Sequence, residues 1–209
     1  MQLILLLLIF FAALLSLLLA LWKFYFLRNP VPAIPKGENL ILSPANGNVA
    51  RIYEFSNGKT ETAEKGLFGK IPLMTKDVAK EGYIILIRLH VYNVHWQRAP
   101  IAGTIQSTTY TKGTFLNAVH DVYNMQCFFE NERNEIIIKG KIRCKVIQIA
   151  GYLARRIECF VEKEDTVTAG DVIGLINLGS QCALIVPKIK LKAKEGDVLQ
   201  IGEIIGTIR

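Results

Sequence analysis

Residues 3–22 form an apolar run interrupted only by Ser16. At 1.5 Å per residue, a helix over it spans about 30 Å, the thickness of a bilayer core. The chain is therefore expected to hold one transmembrane helix, with length remaining for one compact domain. A cleaved signal peptide would show a basic stretch, a shorter apolar core and small residues at a cleavage site. Here the leucines lead straight into Trp22-Lys23-Phe24-Tyr25. Trp22, Phe24 and Tyr25 suit the membrane interface. Lys23 and Arg28 come after the helix and no charged side chain precedes it, so the positive-inside rule predicts a single-pass anchor in the cell membrane with a cytoplasmic domain. The expected division is an anchor with its flanks over 1–28, a connector over 29–36 stiffened by Pro30, Pro32 and Pro35, and a folded domain over 37–209.

All 25 Lys and Arg residues lie at or beyond Lys23, so the formal charge of +7 belongs to the part of the chain after the apolar run. A basic domain directly behind a hydrophobic anchor points to an anionic lipid surface as its partner. The chain carries no aromatic-rich basic motif of a nucleic-acid fold, which argues against that class. Cys127, Cys144, Cys159 and Cys182 form no CxxC pair and have no histidine at ligand spacing, so no metal site is expected. They read as small buried hydrophobes in a reducing compartment.

Beyond Lys36 the pattern is one of short strands. Residues 40–42 precede Ser43-Pro44-Ala45-Asn46-Gly47, and residues 49–55 run to Asn57-Gly58, a hairpin signal. Over 83–92, period two places Ile85, Ile87, Leu89 and Val91 on one face, with Arg88 and His90 on the other. Lys141, Arg143 and Lys145 alternate with Ile142, Cys144 and Val146, which reads as a half-buried strand with a wet polar face. Residues 164–176 repeat as 196–208, with Asp, Gly, Ile, Gly and Ile in common. Each copy reads as a turn, a glycine and a short strand, resembling the hairpins of the barrel-sandwich hybrid in lipoyl and biotinyl carrier domains. The expected fold is mostly β, a duplicated barrel-sandwich-hybrid-like domain behind one N-terminal transmembrane helix. No repeat turn offers the Met-Lys pair of a carrier domain.

Six ordered blocks carry a wider likeness: Tyr25-Phe26-Leu27-Arg28-Asn29-Pro30, Ser43-Pro44-Ala45-Asn46-Gly47, Asn93-Val94-His95-Trp96-Gln97-Arg98-Ala99-Pro100, Asn131-Glu132-Arg133-Asn134, Gln148-Ile149-Ala150-Gly151 with Ala154-Arg155-Arg156-Ile157, and Leu178-Gly179-Ser180. In these the chain resembles the short, membrane-anchored type of phosphatidylserine decarboxylase, a pyruvoyl-dependent family. The resemblance implies that Ser180 attacks the carbonyl of Gly179, that the resulting ester eliminates, and that residue 180 becomes a pyruvoyl group made without an exogenous cofactor. That group would serve as the electron sink while phosphatidylserine loses carbon dioxide to give phosphatidylethanolamine. The two fragments are expected to stay together, the second repeat copy, which lies wholly in the small one, pairing with strands of the first copy. A second copy of the chain is a further candidate partner.

A serine hydroxyl needs a base, and neutral histidine suits the task. Of His90, His95 and His120, only His95 falls within a family block. Long-type members carry a second histidine where this chain has Arg98. Asn46 stands where the family carries an acid thought to support the base; it can orient a ring but cannot balance an imidazolium. Arg98, or the pair Arg155 and Arg156, is expected to hold the lipid phosphate. A rival reading is a catalytically silent, membrane-tethered β module that binds lipid or a partner, having lost maturation with Asn46. A third is a related pyruvoyl enzyme acting on another amine-bearing acid.

Overall fold

The computed structural model describes residues 2–57, 59–60, 71–117, 125–152, 156–177 and 180–208. The apolar run forms helix α1 over Gln2–Ala20, continued as a π-helix over Leu21–Phe26. The segment Gln2–Phe26 is long and apolar enough to cross a membrane. No residue of α1 is buried against the domain, and along this whole segment only Phe26, at its foot, is buried. A helix apolar all round and packed on nothing has its natural partner in lipid.

Among the described residues the rest is β-structure with two short helices, α2 (Ile71–Thr75) and α3 (Gln126–Glu130). The strands are β1 (Leu40–Leu42), β2 (Gly47–Ser56), β3 (Lys59–Thr60), β4 (Glu81–Leu89), β5 (Trp96–Arg98), β6 (Gly103–Thr111), β7 (Arg133–Lys139), β8 (Arg143–Ile149), β9 (Arg156–Cys159), β10 (Thr166–Val167), β11 (Val172–Asn177), β12 (Ser180–Pro187), β13 (Lys190–Leu191), β14 (Val198–Leu199) and β15 (Ile204–Thr207). The main sheet runs β10-β6-β7-β8-β12-β4-β2-β14, with β3 paired to β2 in the expected hairpin. Two small sheets, β1-β15-β13 and β5-β11-β9, pack against it.

That order is the same read from either end once β8 is matched with β12, β7 with β4, β6 with β2 and β10 with β14. The small sheets match likewise. Leu199 lies opposite Gly47 as Val167 lies opposite Gly103. The repeat turns agree too: Gly170 and Gly202 have φ of 93° and 88°, where a side chain would be strained. Asp165 and Asp197 each accept a bond from the backbone amide three residues earlier. The duplication thus extends through the whole β domain. One expectation is corrected: the repeat copies do not pair with each other. The copy at 196–208 pairs with β1 and β2, and that at 164–176 with β5 and β6.

One core fills the interior between the sheets, with Val49, Ile85, Ile87, Leu89, Val146 and Leu184 among its members. A second covers the other face of the main sheet, where Ile84, Leu86, Ile147 and Ile185 meet Ile71, Met74 and Phe128 from the short helices. Strands β4, β8 and β12 are therefore covered on both faces over most of their length; in 141–146 Lys141 and Arg143 are exposed and Cys144 and Val146 buried as a half-buried strand requires, but Lys145 on the polar face is buried too. Val91 lies past the end of β4 and is exposed. Lys145 is 1% exposed, its Nζ bonded to Glu135 Oε2 at 3.0 Å, Asp77 Oδ2 at 3.2 Å and the Met74 carbonyl at 2.9 Å. An ammonium set among core residues is tolerable only because two carboxylates and a carbonyl surround it, and it fastens the α2 region to β8. Cys127, Cys144 and Cys182 are buried as expected, whereas Cys159 is exposed.

Lys145→Ala is expected to destabilise the fold by about 2 kcal/mol, because it removes the bonds that fasten the α2 region to β8 and leaves the largely buried Glu135 with Arg133 alone. Lys141→Ala, which removes an exposed, solvent-screened pair with Glu38, should change stability far less. Thermal unfolding of the two variants in the same detergent checks the contrast.

Candidate active site

Ser180 begins β12 opposite Leu89 and is fully buried. Its Oγ has no hydrogen-bond partner. Among the described residues, the only other buried side-chain oxygen in that condition is Asn177 Oδ1. The two flank residues 178–179, so Gly179 itself lies outside the described residues. An unpaired buried hydroxyl costs about 1–3 kcal/mol, and two such oxygens around one dipeptide mark a place where polar groups serve something other than stability.

His95 lies in the segment linking β4 to β5 and is fully buried. Asn93 shapes this loop: its Oδ1 accepts from the His90 amide at 2.8 Å, and its own amide donates to the His90 carbonyl at 2.9 Å. The Asn93 carbonyl then meets His95 Nδ1 at 2.9 Å. A carbonyl can only accept, so Nδ1 carries the proton and Nε2 is the basic nitrogen of the neutral ring. Burial pulls the His95 pKa down to about 4, against the bond to Asn93, which raises it; the nearby Arg28 charge lowers it further. The ring is therefore neutral, and able to accept a proton, throughout the physiological range.

A chain of buried amides fixes the His95 backbone. Asn134 Nδ2 donates to Gln148 Oε1 at 2.8 Å, Gln148 Nε2 to Gln97 Oε1 at 2.9 Å, and Gln97 Nε2 to the His95 carbonyl at 2.7 Å. The same carbonyl accepts the Ile176 amide at 3.1 Å, which ties His95 to the strand leading into residues 178–179. Gln148 lies opposite Cys182, two residues along β12 from Ser180 and on the same face. Gly174 makes room for it: a Cβ there would lie 2.4 Å from Gln148 Nε2.

The foot of the helix closes the site from the other side. Phe26 lies against His95 with ring centroids 4.4 Å apart, and Trp22 stacks on Phe26 at 4.7 Å. Arg28 donates to the Tyr92 carbonyl at 2.6 Å, and Trp96 Nε1 to the Leu27 carbonyl at 3.2 Å.

Of the residues singled out in the sequence, Ser180 and His95 are both fully buried, and the His95 carbonyl accepts the amide of Ile176 in β11, the strand that precedes β12. Two others have different partners from those expected. Arg98 donates to Asn29 Oδ1 at 2.7 Å, the Pro30 carbonyl at 3.4 Å and the Gly170 carbonyl at 2.8 Å, so it latches the connector to the domain. Asn46 Oδ1 accepts the Ile201 amide at 2.8 Å and braces the second repeat turn, while His95 Nδ1 meets the Asn93 carbonyl. Arg156 is exposed and paired with Glu158 at 3.2 Å. Arg155, like His120, lies outside the described residues. Sequence reasoning assigns no role to Asn93, Gln97, Asn134, Gln148 or Phe26. For Gln148 a signal exists, an amide between Ile147 and Ile149 in an apolar strand.

The fold defines a class, a duplicated β-sandwich behind one apolar N-terminal helix, with Ser180 and His95 buried inside it. The family model for phosphatidylserine decarboxylase matches residues 19–207. The chain is 35% identical over 195 residues to a phosphatidylserine decarboxylase proenzyme of Syntrophus aciditrophicus, covering 91% of this chain and 81% of the relative. It is 36% identical over 197 residues to one from Azorhizobium caulinodans, covering 93% and 77%. A putative archaetidylserine decarboxylase proenzyme of Methanocaldococcus jannaschii is 35% identical over 193 residues, 91% of each chain. The chain belongs to the phosphatidylserine decarboxylase family, and it is an enzyme of the lyase class.

Gln148→Leu keeps the volume but leaves Gln97 Oε1 and Asn134 Nδ2 without their partner. It should destabilise the fold by about 2 kcal/mol, measured by thermal unfolding in a Ser180→Ala background so that every molecule is one intact chain.

Proposed function

We propose that this chain cuts itself between Gly179 and Ser180, carries the resulting pyruvoyl group at residue 180, and decarboxylates phosphatidylserine to phosphatidylethanolamine. The observation that carries the reading is the buried, partnerless Ser180 Oγ at the head of a central strand. A hydroxyl so placed fits the precursor of an internally made group, because its unmet bonding capacity suits a reacting atom.

In the first stage the Ser180 hydroxyl gives its proton to His95 Nε2 as Oγ attacks the Gly179 carbonyl. The amide nitrogen leaves with a proton and an ester joins the two residues. Removal of the Ser180 α-proton then expels Oγ with the Gly179 carboxylate, cutting the chain and leaving dehydroalanine, which takes up water and releases ammonia. The pyruvoyl group so formed supplies an electron-accepting carbonyl for loss of carbon dioxide from the amine-bearing headgroup. The chain's own part is to keep His95 neutral, hold its Nδ1 proton on Asn93 and exclude bulk water behind Phe26.

The fragments would stay joined, because β12 is hydrogen-bonded to β4 along its whole length and also to β8. Membrane anchoring with the domain in the cytoplasm is supported by Lys23 and Arg28 beside the apolar helix. Exposed Val91, Tyr92 and Phe160 lie near its foot, Phe160 by stacking on Trp96. The silent-module alternative rests on Asn46, whose side chain here braces Ile201.

Intact-mass analysis of the purified chain is expected to show two fragments divided at 179/180, with Ser180→Ala giving one uncut chain. A wild-type chain that stays whole after prolonged incubation overturns the reading. The pH dependence is set by His95, whose base form persists above a pKa of about 4. Cleavage should run at a constant rate from neutral pH to about pH 5 and slow as acid protonates Nε2; a midpoint near 6.5 would contradict the buried ring.

A further inference from the structure

We infer that the membrane helix is a working part of the catalytic site, with Phe26 the positioning residue that sets the orientation and dryness of the His95 ring. This rests on the reading of His95 as the base for self-cleavage and goes beyond it, since it assigns part of that base's function to the anchor.

Three observations converge. Phe26 is 6% exposed, whereas the side chains just before it, Phe24 and Tyr25, are 74% and 52% exposed. It packs against the domain's His95, at a centroid separation of 4.4 Å. The contact is also held from both sides. Trp22 backs Phe26 from the helix, while Arg28 to the Tyr92 carbonyl, Trp96 to the Leu27 carbonyl and Arg98 to Asn29 fasten the following residues to the segment that carries the histidine. Finally, the bond at Nδ1 fixes one atom of the ring, and an aromatic ring tilted 33° to it at 4.4 Å restricts its rotation about that bond.

Among the described residues, the charged group that bears on the ring is Arg28 from the helix foot, while His90, at the start of the same loop, stacks on Tyr92. With Phe26 gone, water reaches the ring while Arg28 stays, so the base becomes both more solvated and less fixed. It follows that a chain whose helix has not docked holds the nucleophile and the base without the geometry to use them, and maturation is coupled to docking.

The test uses the full chain in lipid nanodiscs as wild type, Phe26→Ala, Phe26→Leu and Phe26→Trp. Self-cleavage is followed by intact mass from pH 4 to 8. In a parallel Ser180→Ala series, the His95 ring is titrated by nitrogen NMR, its signal assigned by loss in His95→Gln. Phe26→Ala should mature at least about tenfold more slowly, in keeping with the sensitivity of such steps to small misplacements. Its acid limb and His95 titration should move toward the ordinary 6.5. Phe26→Trp, which restores an aromatic face, should recover most of the rate, with Phe26→Leu between. If Phe26→Ala folds poorly, the same comparison is made between Phe26→Leu and Phe26→Trp. Equal rates and an unmoved titration across the series overturn the inference. If wild type itself never cleaves, the proposed chemistry fails, and the titration still decides whether Phe26 sets the ring's environment.

Discussion

Strand β12 is the element on which the rest depends. It lies at the centre of the main sheet, bonded to β4 from Ser180 to Pro187 and to β8 from Gln181 to Ile185. Ser180 to Val186 are all buried. Its register fixes where Ser180 sits, and every other site residue is placed relative to it: Leu89 opposite, Gln148 across the neighbouring strand, His95 through the bond to Ile176. A strand held along both edges and buried on both faces does not need covalent continuity at its first residue to stay in place. The head of such a strand is thus a place where a chain can be cut without losing its fold.

The duplication explains how one side of this symmetric frame becomes a site. Cys144 of β8 and Cys182 of β12 pair with equivalent positions of β7 and β4, and burial alone pushes both thiols far above their ordinary pKa. They are inert packing groups. The symmetry breaks in the amide chain from Asn134 through Gln148 and Gln97 to His95, and in the docking of the helix on that side. A half-satisfied set of amides in a β core would be costly; joined end to end they become a rigid strut.

The features legible in the sequence are the local ones. The apolar run, the Asn57-Gly58 hairpin and the repeat at 164–176 and 196–208 each depend on spacing within a few residues, and the structure contains all three. Ser180 and His95 stand out through the blocks around them. Lys145 does not, because alternation tells which way a side chain points and not whether another element covers that face. Arg98 and Asn46 draw their expected roles from the chemistry their side chains can do. Their partners lie in the connector and in the second repeat, 69 and 155 residues away, and no local pattern encodes such distances.

The electrostatics of the site depend on the same long-range packing. A histidine near Arg28 in a basic domain would have a modestly lowered pKa at a wet surface, where the charge is screened. Buried behind Phe26, the ring loses solvation first, and the arginine adds to that loss. Asn93 partly opposes both by accepting the Nδ1 proton, which stabilises the charged ring but also selects the tautomer with Nε2 as base. The result is a weak base that is never lost to protonation at neutral pH. Weakness would be tolerable in the proposed self-cleavage, which each molecule would perform once and in which correct tautomer and position matter more than proton affinity.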